Sequence, residues 1–159
     1  MKKIRKIGQI LLIGGLALGI AACGKAEADD YSTGFVSYEE IQDEFEKTSD
    51  KLSWPDGYEV PEKIDSEKDD ASYQKGFGST RASLYWESAW EKELLETYKT
   101  DPVRAERALE ELEKAKDMAY MSEEKCDDAT RQYFAKILEM AKNGEPSGFE
   151  ENIKLNSPE

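Results

Sequence analysis

Carboxylates are the most abundant side chains in this sequence that could take part in chemistry. The 159 residues include 35 Asp and Glu against 22 Lys and Arg, a formal net charge of −13. Neighbouring acids occur at Asp69/Asp70, at Asp127/Asp128 and in the run from Glu110 to Glu113. Two carboxylates flanking a glycosidic bond can hydrolyse it. In so acidic a chain, however, adjacent carboxylates arise by chance, so we expect these groups to form solvated faces.

The residue types most often used in catalysis and metal binding are missing. The chain contains no His, which excludes Ser-His and Cys-His activation of a nucleophile and the usual imidazole metal ligands. The stretch from Gly76 to Gly78 is too short for a phosphate-binding loop, and no spaced Asp/Asn loop predicts a calcium site. We therefore predict no catalytic residue, no metal and no cofactor.

Aromatic side chains are the remaining candidates for a binding surface. Trp86 and Trp90 are spaced so that on a helix their rings share one face, and Trp54 and Tyr58 flank the turn signal Pro55-Asp56-Gly57. Such rings can stack on a sugar or accept a partner's apolar side chain. The candidate ligand or partner surface is therefore Trp54, Tyr58, Trp86 and Trp90. The alternative, which we favour for Trp86 and Trp90, is a place in the core, with Trp54 as the better candidate for an exposed contact.

Helices must position these side chains. Ser37 and Glu40 form a capping box, which predicts a short helix over residues 38–48. Residues 79–100 carry apolar side chains around roughly 280° of a helical wheel, far wider than the stripe of a surface helix. This segment is therefore predicted to be the central helix of a bundle. Asp101 and Pro102 then predict the cap and the first turn of the next helix.

Residues 102–142 could form one long helix or two. An apolar repeat from Cys126 to Ala141 closes at Asn143-Gly144, a typical helix end. We predict two helices, with a turn near Ser122 that caps the second one.

The predicted fold is all-α: a small helical bundle over residues 36–144, made of three main helices and a short N-terminal helix. The C-terminal segment 145–159 is predicted to be a loose tail in which Phe149 and Ile153 can dock on the bundle.

The N-terminus is typical of an export signal. Lys2, Lys3, Arg5 and Lys6 are followed by an apolar run from Ile7 to Ile20. Because a membrane-spanning helix needs about twenty apolar residues, we predict a cleavable signal rather than a permanent span.

The end of that run, Ile20-Ala21-Ala22-Cys23, resembles the lipobox of bacterial prolipoproteins. The resemblance covers residues 1–23 only. It implies that residues 1–22 are removed, that Cys23 receives a diacylglyceryl group, and that this lipid anchors the protein at the extracytoplasmic face of the cell membrane. The alternative is an ordinary secretory signal that contains a cysteine. Residues 23–35 are then the lipidated cysteine and a flexible, polar tether.

Processing makes the chain more acidic. Without its first 22 residues it would have 137 residues, keeping 18 of the 22 basic residues and all 35 acidic ones, a formal net charge of −17. Such a charge disfavours nucleic acid and anionic lipid, so the lipid would be the only tie to the membrane. Cys126 would be the one free thiol, and we expect a small buried core residue there rather than a reactive group.

Two functions from different classes fit this sequence. The favoured one is a membrane-anchored lipoprotein that acts as a non-enzymatic binding or interaction module for an envelope protein or a small ligand. The alternative is a carboxylate-dependent enzyme that acts on cell-wall glycan, with aromatic rings as sugar platforms.

Overall fold

Five helices make up most of the protein in a computed structural model that describes residues 34–65 and 71–158. The first is α1 (Tyr38–Ser49), and the others are α2 (Phe77–Thr97), α3 (Pro102–Glu113), α4 (Asp128–Lys142) and α5 (Ser147–Asn156). Two short strands, β1 (Phe35–Val36) and β2 (Tyr73–Gln74), pair antiparallel beside α1. The predicted all-α class is confirmed. The predicted signal peptide, Cys23 and most of the predicted tether lie outside the described residues, whereas Phe35, assigned to the tether, pairs with Gln74.

The first helix begins where its capping box predicts. Ser37 Oγ accepts a hydrogen bond from the Glu40 amide, and Glu40 Oε2 accepts one from the Ser37 amide at 2.9 Å. Ile41 and Phe45, one turn apart, are buried against α2. The approach is very close, since a Cβ on Gly78 would lie 1.9 Å from the Ile41 carbonyl oxygen. Only glycine fits at this crossing.

The second helix is the centre of the bundle, as its wide apolar arc predicts. It packs against α1, α3 and α5, and it begins two residues earlier than predicted, after Gly76 in the left-handed conformation (φ 88°). Its N-cap residue is Gly76, which has no side chain to accept hydrogen bonds from the first amides of the helix. Instead Glu44 of α1 accepts hydrogen bonds from Gly76 N and Gly78 N at 2.8 and 3.1 Å.

Residues 102–142 form two helices, as predicted, but the break differs in detail. Helix α3 starts at the predicted Asp101 cap and is followed by two 3-10 turns, Lys114–Asp117 and Ala119–Met121. The cap of α4 is Asp127, which accepts from the Thr130 amide at 2.8 Å, so the prediction of Ser122 is wrong. The 3-10 turns redirect the chain so that Tyr120 and Met121 enter the core.

The C-terminal segment is not a loose tail. It forms α5, which packs on α2 and α4. Phe149 is fully buried and meets the ring of Phe134 edge-on at 6.0 Å, while Ile153 is half-buried. The folded domain therefore extends past residue 144, because Phe149 fills a place in the core that the other helices leave open.

Candidate functional site

Two of the four predicted aromatic contact residues lie in the core. Trp86 and Trp90 are each 1% exposed, so they form no binding surface and the alternative of core packing is confirmed for both. The Trp90 indole N–H donates to the Ser53 carbonyl oxygen at 3.0 Å. The Trp86 indole N–H is buried without a hydrogen-bond partner among the described residues.

The other two aromatics meet at the surface. The rings of Trp54 and Tyr58 are stacked, with centroids 5.3 Å apart and planes 2° from parallel. Both side chains are half-buried. The Trp54 indole N–H donates a hydrogen bond to the Ser49 carbonyl oxygen. The turn between them is closed by the Tyr58 amide on the Pro55 carbonyl. This pair is a flat, partly exposed surface, and Asp56 in the turn between the two rings pairs with Arg107.

The carboxylates singled out by adjacency have structural roles. Asp127 and Asp128 are exposed at the start of α4, where Asp127 is the cap. In the run from Glu110 to Glu113, Glu111 pairs with Lys114 and Glu113 with Lys142, while Glu110 is exposed. Asp69 and Asp70 lie outside the described residues.

A pair of carboxylates that adjacency does not single out lies inside the bundle. Glu87 and Glu91, one turn apart on α2, are 6% and 1% exposed. Tyr120 Oη donates a hydrogen bond to Glu87 Oε2. The Asn152 side-chain amide of α5 donates to both acids, to Glu91 Oε1 at 2.7 Å and to Glu87 Oε1 at 3.3 Å. Three segments distant in sequence thus converge on two acidic groups.

Burial makes both acids hard to ionise. The pKa of Glu91 rises from 4.5 to about 9, first because it is removed from water and second because of the charge of Glu87 beside it. Burial also raises the pKa of Glu87, opposed by the hydrogen bonds from Tyr120 and Asn152. The pair therefore holds at least one proton at neutral pH.

A cavity of about 260 Å³ opens onto Glu87, and we call it the Glu87 pocket. Its apolar wall comes from α2, the second 3-10 turn and α4, and its polar floor is Glu87 with Tyr120 and Asn152. The apolar wall consists of Leu84, Met121, Tyr133 and Phe134. An apolar cavity with a few convergent polar groups is the usual form of a small-molecule site.

Cys126 lines the same pocket. It is half-buried, so the prediction of a small buried core residue is only partly right. Cys126 lies in the connection between the second 3-10 turn, which ends at Met121, and α4, which begins at Asp128. Burial and the neighbouring Asp127 raise the pKa of the thiol. It therefore stays a thiol rather than a reactive thiolate.

A second cavity of similar volume, at the N-terminus of α2, is less suited to a ligand. Gly76 and Lys125 line it. Its Gly76 amide, the group that would attract an anion there, already binds Glu44.

The acidic pair could have been found from the helical wheel. At 100° per residue, Glu87 and Glu91 fall within the apolar arc of α2, between Leu94 and Leu84. A charged residue inside such an arc must either be buried together with the apolar side chains or leave a gap in the buried face of the helix. Asn152 gave no comparable signal, because its helix was not predicted.

Two further findings concern membrane spans and metal binding in the described part of the chain. No helix within residues 34–65 and 71–158 is both long and apolar enough to cross a membrane. In the same part of the chain, no group of three or more Cys, Asp or Glu side chains is placed to hold a metal ion.

Comparison of the chain with protein-family models, with curated proteins and with solved structures finds no match. The function must therefore be argued from the residues themselves.

Proposed function

We propose that this protein is a lipoprotein, anchored through Cys23 at the extracytoplasmic face of the cell membrane, whose helical domain binds a small ligand in the Glu87 pocket without catalysing a reaction. The lipobox resemblance supports the anchor. The observation that carries the binding function is the cavity itself: about 260 Å³, apolar on one wall, with a buried carboxyl at its floor.

Hydrogen bonds hold the polar groups at the floor of the cavity in place. Its floor groups come from residues 87, 120 and 152, and each is held by a hydrogen bond to another member. Asn156 in turn donates to Asn152 Oδ1 at 2.8 Å, which orients the amide. Such preorganisation lowers the cost of binding because the site does not have to be ordered by the ligand.

The enzymatic alternative has less support. A glycosidase needs two carboxyl groups that flank the scissile bond, with one of them ionised. Glu87 and Glu91 lie on the same helix and accept from the same Asn152 amide, so they would lie on one side of a ligand. Burial also raises the pKa of both carboxyls, which disfavours the ionised partner that the reaction needs.

The binding function can be tested by filling the pocket. Thr130 is exposed at the pocket's rim, and Gln132, two residues along α4, is exposed outside its lining. We expect compounds from a small-molecule library that raise the melting temperature of the parent to raise that of Gln132→Trp equally and to have no effect on Thr130→Trp.

Two results would count against this function. One is a library in which no compound stabilises the parent, and the other is stabilisation that Thr130→Trp retains. Turnover of purified cell-wall glycan that Glu87→Gln abolishes would favour the enzymatic alternative.

A further inference from the structure

Among the residues that the structure describes, the acidic pair of the Glu87 pocket forms no ion pair, and this distinguishes it from another buried acid on the same helix. Glu93 is 8% exposed and is bound by both arms of the Arg104 guanidinium, each at 2.7 Å. The hydrogen-bond donors to Glu87 and Glu91 are a phenol and an amide, both neutral. Buried carboxylates are normally paired with a positive charge.

Nearby basic side chains do not supply this charge. Lys92 is exposed to solvent, and of the influences on the pKa of Glu91 its charge is the smallest. Lys125 lines the pocket, but its ammonium lies against Gly76, 2.9 Å from where a Cβ would be. Within the described part of the chain, neither lysine forms an ion pair with Glu87 or Glu91.

The surroundings of the pair select for an organic cation rather than a metal ion. Ca²⁺ takes six to eight oxygen ligands, several of them carboxylates, whereas this pocket is lined by one carboxyl, with neutral hydroxyl and amide groups, an ammonium group and apolar side chains. The faces of Tyr133 and Phe134 suit the apolar body of an amine and can also attract its charge. The Met121 thioether adds a polarisable contact.

We propose that the Glu87 pocket binds an organic ammonium ion, with its charge against the Glu87 carboxylate and its apolar part against Tyr133, Phe134 and Met121. This inference rests on the proposed binding function and names the chemical class of the ligand.

Binding is then coupled to the release of a proton. Without a ligand, protons neutralise the two buried carboxyls. An ammonium ion then takes the place of the proton on Glu87, and that proton is released to water. The titratable and charged groups around the pair and its pocket come from α2, from the second 3-10 turn, from the segment before α4 and from α4 itself: Lys92, Tyr120, Lys125, Cys126 and Tyr133. Burial raises the pKa values of Tyr120, Cys126 and Tyr133, so these groups stay neutral in the range considered. The affinity for an ammonium ion should therefore increase with pH.

Calorimetric titration of the full chain in a non-ionic detergent tests this with two matched probes. Phenethylammonium carries the charge, and 2-phenylethanol has the same ring and chain length without it. We expect phenethylammonium to bind at least tenfold more tightly than the alcohol, and its Kd at pH 8 to be at least tenfold lower than at pH 6. Titration in two buffers of different ionisation enthalpy should show the release of about one proton per bound ammonium ion.

The variants separate charge from shape. Glu87→Gln keeps the size of the side chain and should weaken phenethylammonium binding at least tenfold, whereas Glu110→Gln, exposed on α3, should bind like the parent. If Glu87→Gln does not fold, the proton count on the parent decides. Equal binding of the two probes, or ammonium binding without proton release, contradicts the inference. If the alcohol binds the parent but not Thr130→Trp, the binding function stands and only the ligand class is wrong.

Discussion

The stability of this protein should fall as the pH rises from 5 to 8, and Glu91 is the main cause. Its pKa is about 9 in the folded chain against 4.5 for an unperturbed Glu. The folded state therefore holds a proton that the unfolded state has already lost. The stability contributed by this proton is fully present below pH 4.5 and is lost as the pH approaches 9.

The magnitude follows from the width of that window. One bound proton changes the free energy of unfolding by about 1.4 kcal/mol per pH unit. Between pH 5 and pH 8 the loss from Glu91 is about 4 kcal/mol, a large share of the 5–15 kcal/mol typical of a small domain. The raised pKa of Glu87 adds a loss of the same sign. Some acids, such as Glu40, Glu113 and Asp127, have a pKa that is lowered by a cap or an ion pair. These acids change the stability of the protein with pH only below this range.

The matched variant is Glu91→Gln, whose amide oxygen can still accept from Asn152. It imitates the protonated acid at every pH, so its advantage over the parent should grow by about 4 kcal/mol from pH 5 to pH 8. Urea unfolding followed by tryptophan fluorescence at four pH values measures this difference. Glu110→Gln is the exposed control and should follow the parent. A parent whose stability does not fall over this range, or a Glu91→Gln curve parallel to it, would refute the reasoning.

Three further predictions concern the core, the paired acid and the anchor. Trp86→Ala should cost about 3–5 kcal/mol of stability, and Trp54→Ala, at a half-buried position, clearly less; equal urea midpoints would contradict the burial of Trp86. Arg104→Ala leaves Glu93 buried without its guanidinium and should cost about 1–3 kcal/mol, a loss that Arg104→Ala combined with Glu93→Gln should partly recover. Cys23→Ser should abolish metabolic labelling with fatty acid and release the protein from the membrane fraction, and unchanged partition would contradict the lipid anchor.

Local signals were sufficient for the starts of α1 and α3. Ser37 with Glu40 predicts the start of α1, and Asp101 with Pro102 that of α3, because the groups that satisfy the first amides of these helices are adjacent in sequence. The wide apolar arc of α2 predicts its central position for a similar reason, since the pattern lies within one helix.

The candidate site depended on contacts that no local pattern contains. Tyr120 reaches Glu87 across 33 residues of sequence and Asn152 reaches it across 65. Helix α5 was missed because its core contribution comes from Phe149, a single aromatic side chain in a short polar segment, and its burial depends on Phe134. Adjacent acids are the more obvious candidates for a carboxylate pair in the sequence. Adjacency in sequence, however, places neighbouring side chains on different sides of a helix.

In the binding scheme proposed above, protons neutralise the buried carboxyls of Glu87 and Glu91 until a cationic ligand replaces one of these protons. The most direct measurement is a carbon NMR titration of the Glu side-chain carboxyls from pH 4 to pH 10, with and without phenethylammonium. We expect Glu91 to stay protonated at pH 7 in the free protein and to titrate near pH 9. We also expect the pair to lose a proton when the ammonium ion binds. Two carboxyls that are both ionised at pH 7 in the free protein would contradict this scheme.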